Sequence, residues 1–84
     1  MFELISFVAR SKKRITLLRA LFAPKTPTQL AKELNTHRSA ISRDLLKLEK
    51  RGLAKCLTPN EKVFRLYRIS PKGKKILKEV ENYK

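Results

Sequence analysis

Residues 26–52 read TPTQLAKELNTHRSAISRDLLKLEKRG, and this stretch decides the fold class. Thr26 precedes Pro27, and Gln29 stands three residues after Thr26. This is a capping box with proline at the first helical position, where its missing N–H costs nothing. The pattern therefore predicts a short helix over about 27–34. Its inner face is apolar and consists of Leu30, Ala31 and Leu34.

A second helix follows after a three-residue turn. Asn35 suits the left-handed backbone that ends a helix, and Thr36 or His37 can cap the next one. The apolar spacing then predicts a helix over about 38–51 that stops at Gly52. Its buried stripe is Ile41, Leu45 and Leu48.

The two helices and their turn form a helix-turn-helix unit over about 27–51, a motif whose second helix enters the major groove of DNA. With the apolar stripe turned inward, Arg43 can pair with O6 and N7 of guanine, and Ser39 and Ser42 can reach most bases. An ordinary amphipathic helix with a solvated basic face is the alternative. The predicted DNA contacts of this unit are Thr26, Thr28, Gln29, His37, Arg38, Ser39, Ser42, Arg43 and Lys47.

Asp44 is the acidic exception near this face. Its angle on the helix places it to the side, where we expect it to pair with Lys47 or Arg51.

Two strands are predicted over 53–58 and 63–69, joined by a turn at 59–62. The buried face of the second strand stays open, because Tyr67 and Ile69 lie on one face and Phe64 and Leu66 on the other. A basic hairpin of this kind, the wing, can lean on phosphates or enter the minor groove. Its alternative role is only to complete the core. The predicted wing contacts are Lys55, Lys62, Arg65 and Arg68, with Lys62 and Arg65 nearest the tip.

Helices are also predicted at both ends of the chain. Residues 2–22 carry one apolar face, although Ser11 can cap a fresh helix from Lys12 and so break the segment in two. Ser70 and Pro71 cap a last helix over about 71–83, in which Gly73 is a mild weakness. The predicted inner residues are Leu4, Val8, Ile15, Leu18 and Phe22 in the first segment, and Ile76, Leu77, Val80 and Tyr83 in the last.

Composition narrows the choice of partner. The 84 residues make one domain, and 21 Lys and Arg against 7 Asp and Glu give a formal net charge of +14. Self-repulsion opposes folding, and a polyanion such as nucleic acid relieves it; a basic solvated surface without a partner is the alternative. No apolar run approaches ~20 residues, and the apolar start contains Glu3 with no basic region before it, so neither a membrane span nor a signal peptide is expected.

The chain has one cysteine, Cys56, and one histidine, His37. A disulfide within the chain is therefore excluded, and a zinc site is not expected. A buried structural thiol is the expected state of Cys56, with redox sensing as the alternative. Paired carboxylates in a cleft, a Ser-His-Asp set and a glycine-rich phosphate loop are all missing, so we expect no enzyme and no cofactor.

Four segments together resemble the winged-helix regulators of the ArsR and MarR type, most of all their short archaeal members. They are Ser11-Lys-Lys-Arg-Ile-x-Leu-Leu-Arg-Ala-Leu, Pro27-x-x-Leu-Ala-x-x-Leu, Arg38-Ser-x-Ile-Ser-Arg-x-Leu-x-x-Leu-Glu-x-x-Gly52-Leu and Leu66-Tyr-Arg-Ile-Ser-x-x-Gly73. The resemblance implies a winged helix, a cytoplasmic and nucleoid-associated protein, duplex DNA as partner and a homodimer. Asn35 stands where such proteins often have glycine. Metal-binding clusters and the extra helices of drug pockets are missing, so a metal or small-molecule effector is not expected.

The predicted fold is therefore α+β and mostly α: a winged helix-turn-helix with a three-helix core, a hairpin wing and a C-terminal helix, in one domain over 1–84. The predicted function is sequence-specific binding of duplex DNA by a transcriptional regulator. The alternatives are an RNA- or ribosome-associated protein, an architectural DNA-binding protein and a protein-interaction module. Two surfaces are candidates for a dimer: Phe2, Ile5 and Phe7 in the first segment, or Leu77 and Tyr83 in the last helix. The alternative is that both surfaces simply cover the core of one monomer.

Overall fold

A computed structural model describes residues 2–63 and 65–82 of the chain. Five helices and one two-stranded antiparallel sheet form in this part, so the expected winged helix-turn-helix architecture is confirmed. The elements are α1 (Phe2–Ala9), α2 (Lys12–Ala20), α3 (Pro27–Glu33), α4 (Arg38–Lys50), β1 (Ala54–Cys56), β2 (Tyr67–Ile69) and α5 (Pro71–Asn82).

The segment 2–22 is two helices rather than one. Ser11 has an extended backbone, and its side chain accepts a hydrogen bond from the Arg14 N–H at 3.3 Å, so a fresh helix begins at Lys12. The second of the two sequence interpretations is therefore confirmed. The predicted burial of Phe22 is wrong: α2 ends at Ala20, and the Phe22 side chain is 54% exposed. Val8, Ile15 and Leu18 are buried as expected, and Leu17 and Leu21 join them.

The helix-turn-helix unit forms as the sequence predicts. At the start of α3, Gln29 N donates to Thr26 Oγ1 at 3.2 Å, and Thr26 N donates to the Gln29 side chain at 2.9 Å. Asn35 has φ of +52°, the left-handed conformation expected for the turn. His37 occupies the cap position of α4 without a capping side-chain bond. The three apolar residues of the α4 stripe, Ile41, Leu45 and Leu48, are fully buried.

The capping box of α3 gives a first prediction. Thr26→Ala removes the oxygen that holds the Gln29 N–H, and we expect a loss of about 1 kcal/mol in the free energy of unfolding. Urea denaturation followed by circular dichroism measures it. Thr28→Ala is the matched control, because Thr28 is an exposed threonine two positions along the same helix. Equal losses for both variants would show that the box contributes nothing.

The wing is shorter than predicted, but its buried face is now clear. Tyr67 and Ile69 point into the core, together with Ala54 and Cys56 of the partner strand; Phe64 lies outside the described residues. The ladder ends early because the Thr58 side chain accepts the Leu66 N–H at 2.9 Å and so replaces a strand pairing. On its other edge, β2 exchanges two backbone hydrogen bonds with Lys25, which ties the wing to the loop before α3.

The last helix packs against α1 and against the base of the wing. Ser70 Oγ accepts the Gly73 N–H at 2.9 Å and also donates to the Gly52 carbonyl oxygen, so the predicted cap is confirmed. Gly73 is not the weakness that helix propensity indicates, since a side chain there would collide with the Leu53 carbonyl. Leu77 is buried and so cannot form the dimer surface proposed for this helix; Tyr83 lies outside the described residues.

Candidate nucleic-acid interface

A groove of about 240 Å³ separates α4 from the wing. It brings together parts of the chain that are distant in sequence: the start of α3, the outer face of α4 and the tip of the wing. Six of the predicted contact residues line it: Thr26, Thr28, Arg38, Ser42, Lys62 and Arg65. The remaining wall consists of Pro27, Leu46, Val63 and Tyr67.

The outer face of α4 is exposed and cationic. His37, Arg38, Ser39, Arg43 and Lys47 are all exposed, whereas Ser42 is half-buried at the edge of the groove. Within residues 2–63 and 65–82, neither arginine of this face nor Lys47 lies within 4 Å of a carboxylate oxygen. The donors therefore keep their hydrogen-bonding capacity for a partner.

The predicted partner of Asp44 is wrong. Its carboxylate lies 3.7 Å from Lys13 Nζ, so the side chain turns toward α2 rather than along α4. Arg51 instead donates to the Lys47 carbonyl oxygen and lies over the Phe7 ring. Asp44 is the acidic residue of α4 nearest the outward face, and the ion pair with Lys13 offsets its negative charge.

Thr26 and Gln29, two of the predicted contacts, cap the start of α3. The side-chain oxygens of Thr26 and Gln29 both hold backbone N–H groups in the capping box. The Gln29 amide NH₂ and the Thr28 hydroxyl are the groups of this turn that remain exposed for a ligand.

Arg65 and Lys62 differ although both line the groove. Lys62 is exposed near the tip of the wing. Arg65 is half-buried beside Cys56 and Tyr67, the strand pair nearest the tip: Nη2 donates to Cys56 Sγ at 3.5 Å, and the guanidinium lies 5.8 Å from the centre of the Tyr67 ring. The hydrogen bond to Cys56 raises the pKa of Arg65, and burial raises the pKa of the Tyr67 phenol. Arg65 thus braces the wing, and the Cys56 thiol is buried as expected.

Lys55 and Arg68 lie apart from the other predicted contacts. They are direct cross-strand partners, and side chains alternate between the two faces of a strand. Their neighbours Cys56 and Tyr67 point inward, so Lys55 and Arg68 point to the opposite face. There they line a separate groove with Lys74 of α5.

Two apolar residues of the groove are absent from the predicted contacts. Leu46 is 50% exposed on α4, and Val63 is 58% exposed on the wing. Leu46 could have been found, because it is the apolar residue on the outward side of an otherwise polar helix face. Val63 could not, since its side of the wing depends on a loop whose register the sequence leaves open.

None of the helices within 2–63 and 65–82 is long and apolar enough to cross a membrane. In that part of the chain, no three His, Cys, Asp or Glu side chains come together in a way that could hold a metal ion.

Comparisons with known proteins agree with this geometry. Residues 2–84 match the family described as the HVO_A0261 N-terminal domain. An uncharacterized HTH-type transcriptional regulator, YdgG of Bacillus subtilis (strain 168), is 29% identical over 83 residues, covering 95% of this chain and 55% of that protein. This chain therefore spans about half the length of that relative.

Solved structures show the same fold. A mutant of MarR from E. coli complexed with operator DNA is similar with a TM-score of 0.77 and 23% identity, covering 95% of this chain and 62% of that one. A possible transcriptional regulator for arsenical resistance is similar with a TM-score of 0.74 and 30% identity, covering 94% of this chain and 81% of that one. The chain belongs to the HVO_A0261 N-terminal domain family, and its fold is the winged helix of the MarR-type regulators.

Proposed function

We propose that this protein binds duplex DNA as a transcriptional regulator, with α4 in the major groove and the wing tip on the neighbouring backbone or minor groove. The observation that carries the proposal is the outer face of α4, which presents arginines and hydroxyls unpaired by the described carboxylates. Similarity to MarR, one form of which was solved with operator DNA, supports it.

Base reading is assigned to the first turns of α4. Arg38 and Arg43 are forked donors that fit guanine, and Ser39 and Ser42 are short donors and acceptors. Leu46 lies one turn after Ser42, where an apolar side chain can contact a thymine methyl group. The Thr28 hydroxyl and the wing residue Lys62 lie on the two sides of this face and suit phosphates.

A homodimer would align two such faces with half-sites about 34 Å apart. The surface left for it is the first helix, where Phe2 is 75% exposed, while Ile5 and Phe7 partly pack on the core. Small domains gain stability by covering apolar surface of this kind. Sedimentation equilibrium of the free protein measures the association directly.

Selection of bound duplexes from a random pool tests the proposed function. We expect enrichment of a palindrome with half-sites one helical turn apart. Binding of the selected duplex should weaken by orders of magnitude between about 50 and 200 mM salt, because several phosphate contacts release counterions. Recovery of no preferred sequence would favour an architectural protein. Tighter binding to a structured RNA than to the selected duplex would favour the RNA alternative.

The two faces of the wing give a matched pair of variants. Lys62→Ala removes a cation on the α4 side, and we expect weaker binding to all duplexes and a salt slope smaller by about 1. Lys55→Ala removes a cation from the opposite face, and we expect the slope to stay unchanged. Fluorescence anisotropy at several salt concentrations measures both. Equal slopes for the two variants would mean that the wing does not contact DNA on the α4 side.

A further inference from the structure

A second cationic site lies where α1, α2 and the end of α4 meet. The Phe7 ring has the Arg14 guanidinium carbon 3.9 Å from its centre and the Arg51 guanidinium carbon 3.8 Å from it. Each guanidinium is also held by a carbonyl oxygen: Arg14 donates to that of Phe7 at 2.8 Å, and Arg51 to that of Lys47 at 3.4 Å. Stacking and hydrogen bonding thus fix two like charges on one ring.

The charges at this place are not neutralised by the described part of the protein. Arg10 lines the same groove, which has a volume of about 570 Å³, within the range of small-molecule sites. Glu3 is the acidic side chain on the described wall of the groove, and its carboxylate lies more than 4 Å from all three arginines. Repulsion between the like charges opposes folding. A bound anion would replace this repulsion with attraction between the arginines and the ligand.

We propose that this groove binds a phosphate monoester with an apolar body. Three arginines and one glutamate leave a local charge that matches the roughly −1.5 to −2 of a phosphate monoester at neutral pH. The planar fork of arginine pairs with phosphate through two parallel N–H bonds. The exposed Phe2 ring stands on the groove wall, where it can cover an apolar body attached to the phosphate.

The groove is distinct from the proposed DNA surface. Arg51 follows the last turn of α4, whereas Arg38 begins that helix, and 13 helical residues span about 20 Å. Binding there does not need DNA, but Phe2 and Phe7 also belong to the first-helix surface proposed for the dimer, so the ligand and a second copy would compete for that surface. The sequence resemblance argues against a small-molecule ligand on the ground of missing helices, but this groove is made from the helices that are present.

Titration of the full chain with phenyl phosphate tests the proposal. We expect saturable chemical-shift changes at the Phe7 ring, with a Kd tighter than about 1 mM in 0.15 M salt. Benzoate, a monoanion with the same ring, should bind at least about tenfold more weakly. Arg51→Gln should weaken phenyl phosphate binding at least about tenfold, and Arg51→Lys less, because lysine keeps the charge and loses the fork.

Lys78→Gln is the control, since it removes one exposed charge on α5 outside the groove and should leave the Kd unchanged. Folding of each variant is checked by its thermal transition before titration. The proposal is overturned if the wild type shows no saturable shift, or if Lys78→Gln weakens binding as much as Arg51→Gln. Displacement of phenyl phosphate by a saturating duplex would assign the arginines to DNA and would also overturn it.

Discussion

Gly73→Ala is expected to destabilise the protein by about 1–3 kcal/mol, a large part of the stability of a domain of this size. A Cβ on Gly73 would overlap the Leu53 carbonyl oxygen and would lie 2.8 Å from Ile69 Cγ1. The carbonyl cannot move freely, because it accepts the Ser70 N–H at 3.0 Å where α5 begins. The start of α5 would therefore have to separate from the base of the wing.

Helix propensity predicts the opposite sign for this variant. In an exposed helix, alanine is better than glycine by about 1 kcal/mol. Urea denaturation of Gly73→Ala therefore shows whether local helix propensity or the tertiary contact with Leu53 determines the stability at this position. Lys75→Ala, at an exposed position two residues later, is the control and should change the free energy of unfolding by less than about 0.5 kcal/mol. An unchanged or raised midpoint for Gly73→Ala would show that α5 does not pack against Leu53 as described.

The helix-turn-helix unit could be predicted because its signals are local. A capping box, a left-handed turn residue and an apolar stripe each act within about one helical turn. Thr26, Asn35 and the stripe at Ile41, Leu45 and Leu48 accordingly lie where the sequence places them. The break at Ser11 was also visible, but a capping serine is compatible with one helix or two until its backbone is known.

Most of the errors concern contacts between residues far apart in sequence. Asp44 pairs with Lys13, 31 positions earlier, and nothing within α4 indicates that partner. Gly73 is required by the Leu53 carbonyl, which lies 20 residues earlier in the loop before β1. The exposure of Phe22 depends on where α2 ends, and the sidedness of the wing depends on the backbone pairing of Tyr67 with Lys25. Periodicity carries no information on any of these.

In the candidate site, too, the local features could be predicted and the long-range contacts could not. The exposed face of α4 follows from its stripe, so the exposure of Arg38, Ser39 and Arg43 was predicted correctly, while their contact with DNA stays a prediction. Wing residues were selected by charge alone, and charge does not separate Lys62 at the groove from Lys55 on the opposite face. Nor does it reveal that Arg65 binds the Cys56 thiol.

Ion pairing sharpens the cationic face. The three ion pairs in the described residues are Lys13–Asp44, Arg19–Glu81 and Lys25–Glu33. In each pair, the carboxylate binds a lysine or arginine that lies outside α4. Exposed pairs contribute only about 0–1 kcal/mol to stability. Their larger effect is on the electrostatic field, because these three carboxylates are held beside Lys13, Arg19 and Lys25 rather than beside the arginines on the exposed face of α4.

Arg43→Ala is expected to weaken binding to the selected duplex by about 1–3 kcal/mol, while binding to random duplex changes less. Arg43 is exposed in the second turn of α4, one turn after Ser39, and none of the described carboxylates pairs with it. A guanidinium in that position can make two hydrogen bonds to one guanine, and such bonds exist only when the correct base is present. On random DNA the variant loses only the attraction between one positive charge and the phosphates.

Fluorescence anisotropy with both duplexes at one salt concentration measures the two losses. Lys78→Ala provides the control, because it removes an exposed charge on α5, on an element outside the proposed interface. Repetition of the duplex selection with the Arg43→Ala protein then identifies the base that the side chain reads, since that position alone should lose its preference. If the variant loses the same free energy on selected and random DNA, Arg43 contacts phosphate and the reading of bases must lie with Arg38 and the serines.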